Sequence, residues 1–171
     1  MVPYIFLHIS TNVRKYATTL LAFSWIIGFC FGLSAILVGG CNAVLYQAVD
    51  LKPSFFSIIS VLLLPMLISL LAVFAGQRWL IFPLAFLKAL SFAYVGWSVV
   101  VTFGSAGWLV RLLLMFSDCA SVPLLWWFWK RVLSSEFHAI FPAAVAVTVT
   151  LLGIGIIDFG VIAPFLVNLS L

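Results

Sequence analysis

Long apolar runs separated by short polar segments dominate this chain. A helix rises ~1.5 Å per residue, so about 20 apolar residues cross a hydrocarbon core of ~30 Å. The pattern predicts an all-α fold, a polytopic transmembrane helical bundle in a single domain over residues 1–171. Five spans are predicted, at about Ala17–Val38, Phe55–Ala75, Trp79–Val101, Gly107–Trp129 and Phe141–Ala163.

The polar segments predict how the spans connect. Only "GQR" separates the second span from the third, which indicates a tight helical hairpin. The longest polar segment, Gly40–Ser54, contains "NAVLYQAVDLKP", which predicts a short helix on the membrane surface. The N-terminal "VPYIFLHIS" predicts a second surface helix on the opposite side of the membrane.

Composition supports a membrane location. Of the 171 residues, 66% are hydrophobic and 7% are charged, and a soluble domain could not cover its surface with so few charges. The formal net charge of +4 therefore reflects topology and not nucleic-acid binding. Lys52 lies on one predicted side, and the other side carries five basic residues: Arg14, Lys15, Arg78, Lys130 and Arg131. The positive-inside rule places the N-terminus in the cytoplasm, and we expect a multi-pass protein of the bacterial plasma (inner) membrane.

The first apolar run has one alternative interpretation. "LVGGC", ending at Cys41, resembles the end of a lipoprotein signal peptide. The apolar run before it exceeds the ~15 residues that such signals use, which favours a span.

No combination of residues in the sequence indicates catalysis. Cys30, Cys41 and Cys119 lack metal-ligand spacing, and His8 and His138 stand alone near predicted interfaces. The chain has no nucleophile–base pair and no phosphate-binding glycine loop. We therefore expect a non-enzymatic protein without a metal or other cofactor.

Four charged residues lie inside the predicted spans: Lys88, Arg111, Asp118 and Asp158. A charge at the centre of a membrane helix costs at least ~2.5–3.5 kcal/mol, so such groups usually pair or face water. Counted along the helices, Lys88 and Asp118 both lie near the midplane, whereas Arg111 and Asp158 both lie nearer the external side. The depths predict a midplane pair and an outer pair, with the fourth helix contributing to both.

These charges allow two interpretations. In the first, the pairs fix helix register inside a dry bundle. In the second, they line a path for protons, ions or a polar solute in a small transporter or channel, with Lys88 and Asp118 as a midplane site. The balance of signs and the matched depths favour the first interpretation.

A stripe of small residues follows one face of the first span. Gly28, Gly32, Ala35 and Gly39 are spaced four, three and four residues apart, which permits close approach of a neighbouring backbone. Packing within the molecule is the favoured interpretation, and homo-oligomerisation is the alternative.

Prolines inside the spans predict kinks at Pro65, Pro123 and Pro164. Pro123 and Pro164 each leave the carbonyl four residues earlier, at Cys119 and Gly160, without its helical donor. Lys88 has donors enough for both Asp118 and the Cys119 carbonyl.

The stretch "LLPMLISLLAVFAGQRWLIFPLAFLKALSFAYVGW" resembles the central hairpin of the stage II sporulation protein M family. That hairpin has a helix, a tight turn, a proline near the next helix start and an apolar approach to a lysine and a serine. Four positions of this chain match the family: Pro83, Leu87, Lys88 and Ser91. At two further positions, alanines replace the family's glycines: Ala89 and Ala93.

Two later segments extend the resemblance over roughly Val61–Leu166. "FSDCASVPLL" is similar to the family's polar residue followed by proline, matched by Asp118 and Pro123. "IIDFGVIAPFL" has Asp158 where glutamate is usual, followed by Pro164. The resemblance implies a bacterial membrane scaffold or anchor for membrane or extracytoplasmic protein partners, which in the family's sporulation member are peptidoglycan-degrading enzymes.

Overall fold

A computed structural model describes residues 2–39, 55–103, 116–134, 137–162 and 164. Within these ranges the chain is helical, apart from a turn at residues 75–77, so the all-α prediction is confirmed. Three segments are long and apolar enough to cross a membrane: Tyr16–Val38, Arg78–Ser98 and Ala139–Ile162. The α-helices are α1 (Val2–Gly39), α2 (Phe55–Phe74), α3 (Ile81–Phe103), α4 (Phe116–Ser134) and α5 (Phe137–Ile157).

The helix bounds differ from the predicted spans at two places. The N-terminal segment predicted as a separate surface helix is instead the first part of α1, which runs unbroken from Val2. No glycine or proline interrupts residues 4–27, so the backbone continues its i to i−4 bonds without a break. α4 continues to Ser134, past the predicted end at Trp129. The first part of the predicted fourth span and the segment Gly40–Ser54 lie outside the described residues.

The predicted hairpin between α2 and α3 is confirmed, and a glycine makes it possible. Gly76 has a φ of 71°, in the left-handed region that glycine adopts without a steric penalty. Its N–H donates to the Val73 carbonyl at 3.0 Å, and the Gln77 N–H donates to the Ala72 carbonyl at 2.8 Å. This pair of bonds is a Schellman motif, which satisfies the last carbonyls of α2. A 3-10 turn, Arg78–Leu80, then leads directly into α3.

α1 packs against α3 more extensively than any other pair of described helices does. Gly28 lies against the Phe86 carbonyl, and Gly32 lies against the Leu90 carbonyl. Because both residue numbers increase together along the contact, α1 and α3 run parallel. The glycines let the two backbones approach closely, so this part of the small-residue stripe packs within the molecule. Gly39, the last residue of the stripe, is the last residue of α1.

The hydrophobic core lies where α4 meets the other helices. Side chains from all five helices contribute, with Ala17 and Leu21 from α1 and Ile81 and Ala85 from α3. α4 supplies the largest fully buried groups, Phe128 and Trp129. α5 packs against both α4 and α2. The result is an α1–α3 pair joined through the core to an α2–α4–α5 group.

Replacing Gly28 or Gly32 by alanine should destabilise the protein. A Cβ at Gly32 would lie 2.5 Å from the Leu90 carbonyl oxygen and 2.8 Å from the Ala93 Cβ, and a Cβ at Gly28 would overlap the Phe86 carbonyl. Since backbone cannot move aside as a side-chain tip can, we expect each change to cost about 1–3 kcal/mol. Thermal unfolding in mild detergent measures the loss.

Gly153 in α5 provides the matched control. A Cβ there meets nothing within 4 Å, so Gly153→Ala should leave the unfolding temperature unchanged or raise it slightly. Equal effects of the Gly28, Gly32 and Gly153 substitutions would contradict close packing of α1 on α3.

Candidate functional site

Lys88 forms an ion pair with Asp118 of α4. Lys88 is 9% exposed, and its position is the centre of the apolar segment Arg78–Ser98, about 15 Å from either end. An ammonium group at that depth in a membrane needs a counter-ion, and Asp118 supplies one. The structure thus brings together the two residues that were expected to form the midplane pair.

Asp158 lies in a π-helical turn, Asp158–Ile162, that follows α5. Its Oδ2 accepts a hydrogen bond from the Ser117 hydroxyl of α4 at 2.8 Å. Arg111, the expected partner of Asp158, lies outside the described residues. The contact with Ser117 was not foreseen from the sequence, because a serine beside an aspartate in an apolar run has no pattern that identifies its partner.

The two contacts belong to one polar cluster, which we define as Lys88, Ser117, Asp118 and Asp158. Ser117 and Asp118 are neighbours on α4, so the Ser117–Asp158 hydrogen bond brings Asp158 to the turn of α4 that carries Asp118. The sequence predicted two separate pairs at different depths, whereas the described residues form one cluster that joins α3, α4 and α5. Among these four residues there are two carboxyl groups and one ammonium group.

The cluster has limited chemical capacity. The described part of the chain holds no group of three or more His, Cys, Asp or Glu side chains that could bind a metal ion. Asp118 is 23% exposed and Lys88 is nearly enclosed, so the carboxylate forms the outer edge of the pair. The arrangement can hold helices together and can exchange a proton or a counter-ion at its carboxylate edge.

The prolines have different surroundings from those expected. Helix α4 continues through Pro123, and Lys88 bonds Asp118 and not the carbonyl of Cys119. Pro164 lies two residues after the end of the π-helical turn Asp158–Ile162.

A second buried polar connection surrounds Pro65 in α2. The Trp129 Nε1–H of α4 donates to the Ser69 Oγ at 2.8 Å, and the Ser69 hydroxyl donates to the Pro65 carbonyl at 2.6 Å. Both side chains are fully buried, so the Trp129 Nε1–H depends on the Ser69 hydroxyl for its acceptor. In the sequence, Trp129 marked only the predicted end of the fourth span.

One end of the bundle carries the basic residues. The Arg78 guanidinium donates to the Val132 carbonyl at 3.2 Å, which satisfies one of the last carbonyls of α4. Arg131 lies over the ring of Trp127, 5.2 Å from its centroid, and both side chains are exposed. Arg78 and Arg131 therefore share one end of the bundle, as the predicted topology requires.

A surface groove lies between α2 and α5, away from the polar cluster. Its volume is about 150 Å³, and its walls include Leu70, Phe74, Phe141 and Val145. None of the residues that line it is charged.

Comparison with protein-family models, with curated proteins and with solved structures finds no match for this chain. The resemblance to the stage II sporulation protein M family therefore depends on the three sequence motifs alone.

Removing one partner of the ion pair should destabilise the fold more than removing both. Lys88→Met leaves Asp118 beside Asp158 without the ammonium group, and Asp118→Leu leaves a buried ammonium group. By analogy with buried pairs in soluble proteins, each change should cost about 3–5 kcal/mol. The double variant should recover most of the loss in thermal unfolding experiments in detergent.

Lys130→Met is the matched control, because Lys130 is exposed on α4 and is expected to tolerate the change. Strictly additive losses for the Lys88 and Asp118 substitutions would show that the pair does not hold α3 to α4.

Proposed function

We propose that this chain is a non-enzymatic, five-span scaffold of the bacterial plasma membrane, distantly related to the stage II sporulation protein M family. Its role is to anchor membrane or extracytoplasmic partner proteins, with its N-terminus in the cytoplasm. The observation that carries the proposal is the enclosure of Lys88. Its ammonium group is paired with Asp118 within the protein, which suits a fixed bundle better than an aqueous path.

The directions of the helices support five spans. α1 and α3 run parallel. α4 runs antiparallel to α3, since Arg78 meets Val132 and Lys88 meets Asp118. α5 runs antiparallel to α2, since Thr148 of α5 meets Met66 of α2 and Gly155, further along α5, meets Ile59, earlier in α2. Alternating directions are what five successive crossings of a bilayer require.

The alanines that replace family glycines also support the proposal. Ala89 and Ala93 of α3 are fully buried, and Ala93 lies against Gly32 of α1. Small residues are thus required at these positions, because the α1 backbone is close. Alanine is small enough on α3 because the residue that faces Ala93 on α1, Gly32, is itself a glycine.

A small transporter or channel remains the second candidate, and one observation favours it. Asp118 is partly exposed at the depth of the membrane centre, and Asp158 is hydrogen-bonded to Ser117, the preceding residue of α4. If water reaches the Asp118 carboxylate, a proton or a counter-ion can reach it as well.

Purification from native membranes, combined with flux measurements, tests the scaffold proposal. The affinity-tagged chain in mild detergent should bring down a stoichiometric protein partner, and reciprocal tagging of that partner should recover the chain. Proteoliposomes containing the chain should show no flux of protons, ions or small polar solutes.

Two results would overturn the proposal. One is a chain that is consistently purified alone. The other is a flux that Lys88→Ala abolishes while the protein remains folded, which would establish the transporter instead.

A further inference from the structure

The groove between α2 and α5 begins at one end of the bundle and runs inward along the two helices. On α5 its lining extends from Ile140 to Thr148, about 12 Å along the helix axis. The segment of α5 that is apolar enough to cross a membrane begins at Ala139, the residue before the groove. One end of the groove therefore lies at the boundary of the hydrocarbon layer, and its long axis follows the direction of the lipid acyl chains.

The lining favours an apolar occupant. Its described side chains are apolar except for that of Thr148, whose hydroxyl donates to the Ala144 carbonyl at 2.7 Å. Buried residues form the floor of the groove: Val73, Ile140 and Ala144. Exposed residues form its rims: Phe74, Phe141 and Val145. A polar ligand would find no charged partner among these side chains.

The size of the groove limits what can enter it. A closed apolar cavity of the same volume, about 150 Å³, holds a molecule as small as benzene. An α-helix is ~10–12 Å across with its side chains, so a helix of another protein would cover the groove without entering it. A single flexible hydrocarbon chain fits both the volume and the direction of the groove.

Basic residues lie at the same end of the bundle as the outer end of the groove. Arg78 is the first residue of the apolar segment of α3, and Lys130 and Arg131 are exposed near the end of α4. Arg131 is three residues, about 5 Å, from the last residue of α4, and Ile140 is three residues, about 5 Å, from the first residue of α5. Because α4 and α5 follow each other in opposite directions, Arg131 and the outer end of the groove are at similar depths.

The net charge of this end is positive. Glu136, between α4 and α5 in the sequence, is one acidic residue beside the basic residues Arg78, Lys130 and Arg131. Basic residues next to membrane helices attract anionic lipid headgroups, and each contributes roughly fivefold in affinity. An amphiphile with an anionic head and a hydrocarbon chain matches both the charge at the end of the bundle and the apolar lining of the groove.

We propose that the groove between α2 and α5 binds one acyl chain of an anionic phospholipid, whose headgroup phosphate interacts with Lys130 and Arg131. A zwitterionic lipid offers the same acyl chain but carries no net charge for the basic residues to attract. The inference requires a membrane location and is independent of the scaffold function.

Native mass spectrometry of the chain, purified in mild detergent, tests the site with two probes. These are phosphatidylglycerol, which is anionic, and phosphatidylcholine with the same acyl chains, which is zwitterionic. One phosphatidylglycerol molecule should stay bound to each chain, with an affinity at least tenfold above that of phosphatidylcholine. Lys130→Gln combined with Arg131→Gln should lower the affinity for phosphatidylglycerol to that for phosphatidylcholine.

The apolar part of the site is tested on the rim of the groove. Val145→Trp should fill the groove with an indole ring and lower phosphatidylglycerol binding at least several-fold. Val149→Trp is the matched control, because Val149 is one turn further along α5, is also exposed and does not line the groove. It should leave lipid binding unchanged. Thermal unfolding of both variants shows whether each remains folded.

Three outcomes would overturn the assignment. Equal affinities of the unmodified chain for the two lipids would show that the basic residues do not select the headgroup. Equal effects of Val145→Trp and Val149→Trp, in folded proteins, would show that lipid binds elsewhere on the surface. A dimer that Val145→Trp dissociates would identify a second copy of the chain as the occupant.

Discussion

The ion pair between Lys88 and Asp118 joins the two parts of this bundle. On one side is the α1–α3 pair, held by glycine-to-backbone contact, and on the other is the α2–α4–α5 group. Apolar contacts in a membrane are weakly selective, because lipid tails satisfy an apolar side chain as well as protein does. A paired charge is selective, because each member has few acceptable neighbours. The ion pair therefore selects which faces of α3 and α4 meet, alongside the packing of α1 on α4 and of α2 on α3.

Buried hydrogen bonds add further specificity to the α2–α4–α5 group. Ser117 fixes α4 against the turn after α5 through Asp158, and Trp129 fixes α4 against α2 through Ser69. Each of these hydrogen bonds provides a partner for a polar atom, and lipid tails could not provide one. α4 takes part in the Lys88–Asp118, Ser117–Asp158 and Trp129–Ser69 contacts, whereas the hydrogen bond from Thr148 to Met66 joins α5 to α2 without it.

Glycines in this chain serve different purposes, which the structure separates. Gly76 supplies a backbone conformation for the hairpin, and Gly28 and Gly32 supply close approach between helices. Gly155 meets the tip of the Ile59 side chain, which can move aside, and Gly153 meets nothing. Gly28, Gly32, Gly153 and Gly155 all lie in apolar runs of the sequence, and the neighbouring helix decides which of them must be glycine.

The sequence alone determined the helical class and the hairpin at "GQR". It also determined the depth match between Lys88 and Asp118, because helix rise and bilayer thickness are fixed quantities. It also indicated that a small-residue stripe on α1 needed a close neighbour. It did not identify that neighbour, the Ser117–Asp158 contact or the hydrogen bonds around Pro65, since these depend on which faces of distant helices meet. The continuity of α1 through residues 2–15 was also decided by the structure, because an apolar segment before a span has the same pattern whether it lies on the membrane or extends the helix.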